Sequence, residues 1–300
     1  MKIVSSFFFV SLALFALSLK PASAQNRSVL DMEICSLDAA VSNTAALEYS
    51  KKKEYEKAEV LYVRAIKFDP KCAPAYNNLG ADYCEQKKYL EAIKVYQQAF
   101  RLDSKWAWIY ALNMGRAYAA LNLFDDAIKA YSEVIRLKPK EASVYRSRAN
   151  LYLRLAQGTE AALDAQTYLK LKGWHEESSP YVTLIAYFGY RQANQNEDAI
   201  KILADAKKLK TSEWAYQIIR YLRQEISEQQ LLTLATDKDK MTEAQTYIGL
   251  NLSLFNKQND AIAHFQWVKE NGNQDFTEYE LALAELERII KNAQPKTTTK

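Results

Sequence analysis

The chain has 300 residues and a formal net charge of +4, with 40 basic side chains against 36 acidic ones. So even a balance excludes the strongly basic surface of a nucleic-acid binder and suits the mixed-sign exterior of solvated helices. Seven glycines and six prolines are too few for the turns of a β-rich domain, while 20 tyrosines and abundant Ala, Leu, Lys, Glu and Gln suit packed helices, so the composition reads as all-α.

The first segment has the form of a secretory leader. Lys2 precedes an apolar run from Ile3 to Leu19, and Pro21-Ala22-Ser23-Ala24 offers the small-residue pattern of a cleavage site. Residues 1–24 are therefore expected to be removed, leaving Gln25 at the start of an exported, periplasmic or secreted protein. No cysteine stands at the cut, which argues against an acylated lipoprotein, and no later stretch reaches the ~20 apolar residues of a membrane span. A stable membrane anchor is not expected. Residues 25–38 form an N-terminal segment placed to cap the first hairpin.

Three cysteines, Cys35, Cys72 and Cys84, have no CxxC spacing and no neighbouring histidine, so no metal site and no thiol-redox motif is expected. Cys72 and Cys84 lie along one helix, roughly 18 Å apart at 1.5 Å per residue, beyond the reach of a disulfide. The favoured reading is three unpaired small buried residues, with a Cys35–Cys72 bridge as the alternative.

From Ala39 onward the chain repeats itself. Tyr49, Ala58, Tyr62, Ala65 and Pro70 are followed by Leu79, Gly80, Tyr83, Ala92, Tyr96 and Ala99. Then come Gly115, Tyr118, Ala127, Tyr131 and Pro139. The spacing returns through Ala149, Tyr152 and Ala161, then Tyr190, Ala199 and Ala206, and last Gly249, Ala261 and Phe265. The period is about 34 residues. Small residues on both helices of a hairpin allow close approach. The tyrosines at 49, 83, 118, 152 and 190 are expected to fill the space between hairpins as core, and Pro70 and Pro139 to stop second helices. Hairpins are expected at 39–72, 73–107, 108–141, 142–179, 180–213 and 242–275, with a shorter divergent one at 214–241. A capping helix over 276–292 and a disordered basic tail to Lys300 complete the chain.

These residues resemble the tetratricopeptide repeat family. The resemblance implies a right-handed all-α solenoid of helical hairpins whose first helices line a concave groove. A narrower resemblance rests on Trp214, Ile218, Tyr221-Leu222, Ile226-Ser227-Glu228-Gln229, Leu231, Glu243-Ala244, Tyr247, Gly249 and Phe276-Thr277-Glu278-Tyr279. This part is similar to the end of a bacterial envelope lipoprotein of the "new lipoprotein" adaptor class, which implies an adaptor and a homodimer. The chain departs from that class in lacking the acylation cysteine.

Groove positions recur every three or four residues, so they form one stripe on each first helix. They fall on Asn43, Asn77, Ala81, Arg116, Arg146, Asn150, Arg154 and Arg191. Asn77, Arg116, Arg146, Asn150, Arg154 and Arg191 are the expected partner-binding residues. Asparagine amides can hold an extended backbone, and arginine forks take carboxylates. An acidic or C-terminal segment of a protein is the expected partner. Asn43 and Leu47 replace the Lys/Asn clamp of chaperone-binding relatives. Arg148 stands where the family has a large apolar residue.

No catalytic constellation is visible. His175 and His264 are isolated, Asp125-Asp126 and Glu176-Glu177 fit helix starts, and phosphate-loop, HExxH and GxSxG motifs are missing. The expected function is an exported scaffold that binds a partner without catalysis, cofactor, metal or nucleic acid. The other reading is an envelope assembly component acting through homo-oligomer contacts.

Overall fold

The computed structural model describes residues 35–209 and 213–293; the leader, most of the N-terminal segment and the tail from 294 lie outside them. The described residues hold fifteen α-helices and no strand, and no helix is long and apolar enough to cross a membrane. In chain order the helices are α1 Leu37–Lys51, α2 Tyr55–Phe68, α3 Ala73–Glu85, α4 Tyr89–Leu102, α5 Ala107–Ala120, α6 Phe124–Leu137, α7 Ala142–Arg154 and α8 Gly158–Lys172. There follow α9 Ser179–Gln192, α10 Asn196–Asp205, α11 Trp214–Leu222, α12 Glu228–Leu234, α13 Lys238–Leu254, α14 Gln258–Asn271 and α15 Thr277–Ala293. They form two compact units that divide within α7, between Arg148 and Ala149.

One turn is used seven times. After each first helix a single residue adopts left-handed φ near 60°: Lys53, Lys87, Asn122, Ala156, Asn194, Gln224 and Asn256. The next amide reaches back to a carbonyl five residues earlier, as in Glu54 to Tyr49 (3.0 Å), Lys88 to Tyr83 (2.8 Å) and Glu225 to Arg220 (2.9 Å). That bond closes the helix end and reverses the chain. Because Gln224 shares it, the divergent pair α11/α12 is a true hairpin made of shorter helices.

In the first unit, α2, α4 and α6 each bury one stripe: Ala58, Tyr62 and Ala65; Ala92, Tyr96 and Ala99; Ala127, Tyr131 and Val134. The aromatic in each stripe meets a small residue of the first helix. A Cβ on Gly80 would lie 2.7 Å from Tyr96 Cε1, and one on Gly115 would lie 2.5 Å from Tyr131 Cε1. Burying each such ring contributes roughly 1.5–3 kcal/mol. Tyr62, Tyr96 and Tyr131, on second helices, are thus enclosed. Tyr49, Tyr83 and Tyr118, expected as core, are half-buried at the seams between hairpins. There the Tyr83 hydroxyl donates to Glu59 (2.8 Å) and that of Tyr118 accepts from Gln97 (3.2 Å). A phenol can close such a seam because its ring packs while its hydroxyl stays bonded.

The cysteines correct an expectation. Cys35 and Cys72 are joined, with Cα atoms 4.8 Å apart. The start of α1 lies against the residue that precedes α3, held also by the Ser36 amide on Asp69 (2.9 Å). One repeat period brings the two thiols together, which is what the reading of three unpaired residues overlooked. Cys84 is the free thiol, and burial pushes it up to about 11.

The second unit runs from the end of α7 through α15. α8 and α9 cross at contact distance, since a Cβ on Gly158 would lie 2.4 Å from the Gly189 carbonyl oxygen. α13 begins at Lys238, where Asp237 caps it by accepting from the Lys240 amide (2.9 Å). Ser227 and Gln230 form a reciprocal capping box at α12. α15 packs on α13 and α14, and Arg288 near its end donates to the Arg154 carbonyl (2.8 Å).

Candidate functional site

In the first unit the first helices carry an amide ladder. Asn78 Nδ2 donates to Asn43 Oδ1 (3.1 Å), Asn77 Nδ2 donates to Asn78 Oδ1 (3.4 Å), and Asn113 Nδ2 donates to Asn77 Oδ1 (3.0 Å). Each cross-hairpin rung is set by the repeat period, which places equivalent helix positions side by side. Asn43 and Ala81, expected on the groove surface, are buried between hairpins. Asn77 is half-buried and remains at the edge of the ladder.

Arg116 stands one turn beyond Asn113 on α5. Burial is the main force holding its guanidinium below the ordinary arginine range, and the charge of Arg146 on α7 pushes the same way. The hydroxyls of Tyr131 and Tyr96 and the carboxylate of Glu141 oppose them. Arg116 and Arg146, from successive first helices, are both half-buried, and the charge of Arg146 acts on Arg116. Such a pair favours an anion. Arg148 does not join them; its Nη1 donates to Ser132 on α6 (2.7 Å).

The second unit treats the remaining expected residues differently. Asn150, within α7, is half-buried. Arg154 pairs with Glu280 of α15 at 2.7 Å, so it serves the terminal helix instead of an open groove. Arg191 lies over the Phe255 ring at 4.7 Å and donates one hydrogen bond, to the Tyr187 hydroxyl at 3.2 Å. It borders a cavity of about 850 Å³ among α9, α10, α11 and α13.

Two other features of this unit concern protons. Glu243 and Glu278 are buried, and Glu243 accepts from Tyr181 (3.2 Å) and Trp214 (3.1 Å), while Glu278 accepts from Tyr247 (3.0 Å) and Thr277 (3.1 Å). Burial raises both carboxyls above the usual range, and the charge of Glu278 raises Glu243 further. His264 bonds Gln245 (2.5 Å) and faces Glu228, and burial lowers it. It ties α14 to α13 as a packing residue.

Family models of the tetratricopeptide repeat match residues 39–72 and 71–140. Residues 39–140 are tetratricopeptide repeats. No curated protein matches the chain. Among solved structures, a tetratricopeptide repeat protein from Parabacteroides merdae aligns over 83% of this chain and 99% of its own, with TM-score 0.58 and 15% identity. MamA aligns over 63% of this chain and 97% of its own (TM-score 0.51, 17% identity). YrrB, described as a tetratricopeptide repeat protein with an unusual peptide-binding site, aligns over 68% and 99% (TM-score 0.51, 16% identity). At these identities the likeness is one of fold.

The repeat pattern locates first-helix residues but misses what the divergent hairpin adds. Asn113, the ladder's last rung, lies three positions before Arg116 and was within reach of that spacing. The contacts that join Tyr221, Asn251 and Arg191 were not, because they cross the short helices α11 and α12 where the repeat period breaks. The tetratricopeptide repeats thus supply one polar wall, and the irregular part of the chain supplies a cavity.

Proposed function

We propose that this repeat protein is a non-catalytic scaffold, exported from the cytosol, whose first unit holds an acidic extended segment of a partner protein. The observation that carries the reading is the half-buried Arg116–Arg146 pair, with Arg116 one turn beyond the Asn77–Asn113 rung of the ladder. Arginine forks would take carboxylates, and asparagine amides at the ladder's edge would hold a backbone. The peptide-binding site named for YrrB supports a binding role on the same fold. Export is supported by the leader-like start of the sequence and by the Cys35–Cys72 disulfide, a bond that persists in oxidising compartments.

The test is a titration of Asp/Glu-rich peptides against the wild type, Arg146→Glu and Lys129→Glu. Lys129 lies on a second helix and is largely exposed beside Asp126. Arg146→Glu is expected to weaken binding about tenfold or more, as for loss of a charge-assisted contact, and Lys129→Glu far less. Affinity should fall as salt rises. Equal losses in the two variants, or none at Arg146→Glu, overturn the assignment.

A further inference from the structure

The polar lining of the cavity in the second unit consists mostly of flat side chains. Arg191, Asn196, Gln224, Glu225, Gln230 and Asn251 each end in a planar group with two or more polar atoms at a fixed spacing. A relay holds the deeper members in place. Arg191 Nη1 donates to the Tyr187 hydroxyl (3.2 Å), Tyr187 donates to Asn251 Oδ1 (3.5 Å), and Asn251 Nδ2 donates to the Tyr221 hydroxyl (3.2 Å). It ties α9, α11 and α13 and leaves the Tyr221 proton, the second Asn251 amide proton and the rest of the Arg191 fork unused among the described residues. Burial raises Tyr187 and Tyr221 above the usual phenol range, so both keep their protons.

The members nearer solvent are also short of partners. Gln230 accepts from the Ser227 amide through Oε1 (2.8 Å), which leaves its own amide group over. The side chains of Asn196 and Gln224 bond no described residue. Glu225, the one carboxylate among the lining residues, is held by Arg223 at 2.9 Å and Arg220 at 3.5 Å. With these polar groups stands an aromatic ring that the core does not enclose. Phe255 carries Arg191 over its ring at 4.7 Å and is still 53% exposed.

Three classes of ligand meet this lining unequally. An apolar molecule would strip water from the donors of the relay and replace it with nothing. A small anion would engage Arg191 and leave the amides of Asn196, Gln224 and Gln230 idle. A sugar ring carries adjacent hydroxyls that each donate and accept, so a flat amide or guanidinium can grip them in pairs. Its C–H bonds also give it an apolar face, slightly positive, that suits the negative face of an aromatic ring. We infer that this cavity binds a short saccharide, with hydroxyls on the planar side chains and the C–H face of one ring on Phe255. The volume of about 850 Å³ lies within the range of about 300–1,000 Å³ typical of pockets that enclose a compact ligand. This ligand differs in class from the peptide of the proposed scaffold, and its site shares no residue with the Arg116–Arg146 pair.

The experiment titrates maltotetraose, cellotetraose, chitotetraose and tetragalacturonate against the intact chain by calorimetry, with sorbitol as the acyclic control. At least one tetrasaccharide should saturate the protein. Sorbitol, which has the hydroxyls and no ring face, should not saturate it at the same concentrations. For the tetrasaccharide that binds, Phe255→Leu should weaken affinity about tenfold, the scale of an aromatic contact. Phe255→Tyr keeps the ring and should bind as the wild type does, as should Arg146→Glu. The sorbitol comparison uses the native chain, so it stands even where a variant folds poorly. Saturation by none of the four, sorbitol binding as tightly, or an unchanged affinity in Phe255→Leu overturns the proposal. None of these outcomes touches the acidic-peptide titration at Arg146.

Discussion

Replacing Cys35 and Cys72 together by alanine should loosen one end of the first unit and little else. Alanine is the substitution of choice because Cys72 is fully buried and a serine hydroxyl there would need a partner. The bond spans a sequence separation of 37, for which the chain-entropy relation gives about 4 kcal/mol of lost constraint on the unfolded chain. Contacts that survive reduce the effect felt in the native state. Ser36 still bonds Asp69, and Ala39, Ala65 and Ala75 still form an apolar cluster. The expected cost is therefore roughly 2–4 kcal/mol, expressed locally because each hairpin contacts mainly its neighbours. Hydrogen exchange on the folded protein reads this directly: amides of α1 and α2 should lose protection while those of α13 keep theirs. Unaltered protection in α1, or a loss spread equally over α13 to α15, would refute the local argument.

Gly115→Ala should cost about 1–3 kcal/mol, because its Cβ would meet the buried Tyr131 ring; a denaturation midpoint equal to wild type means that the helices separate freely there. The Glu243–Glu278 pair should make stability fall as pH rises. Both folded-state carboxyls are raised, so their contribution is fully present below the unfolded value near 4.5 and is lost as pH climbs through the raised values. Tyr181, Trp214, Tyr247, Thr277 and the charge of Asp239 face this pair, and none of them supplies a cation. Glu243→Gln should melt higher than wild type at pH 8 and flatten the pH profile; an unchanged slope sinks this account.

The repeat was legible because its residues stand at fixed offsets and each has a steric reason. Gly80 and Gly115 announce the aromatic rings that press on them, and Pro70 and Pro139 end helices where expected. Cross-hairpin bonds follow the same period: Asn43–Asn78 lie 35 apart and Asn77–Asn113 lie 36 apart. The disulfide obeys it too, and weighing cysteines along the chain instead of across it conceals the pairing. What the sequence hid lies where the period breaks. Nothing in spacing pairs Arg154 with Glu280, 126 residues away, or brings Phe255 under Arg191. Those contacts depend on how short helices α11 and α12 let α13 approach α9.

The bond between Arg288 and the Arg154 carbonyl joins residues 134 apart, and this has a bearing on how the chain acquires its structure. A row of hairpins with neighbour contacts alone can grow from any point, each unit settling as it emerges. The first unit meets that description. The second unit does not, because the end of α7 also bonds α15, the last of the described helices. During translation Glu280 and Arg288, which bond Arg154 and its carbonyl, follow it by 126 and 134 residues. The growing protein would thus acquire a settled front half early and a back half late, with that interval as its time of greatest exposure to misassembly.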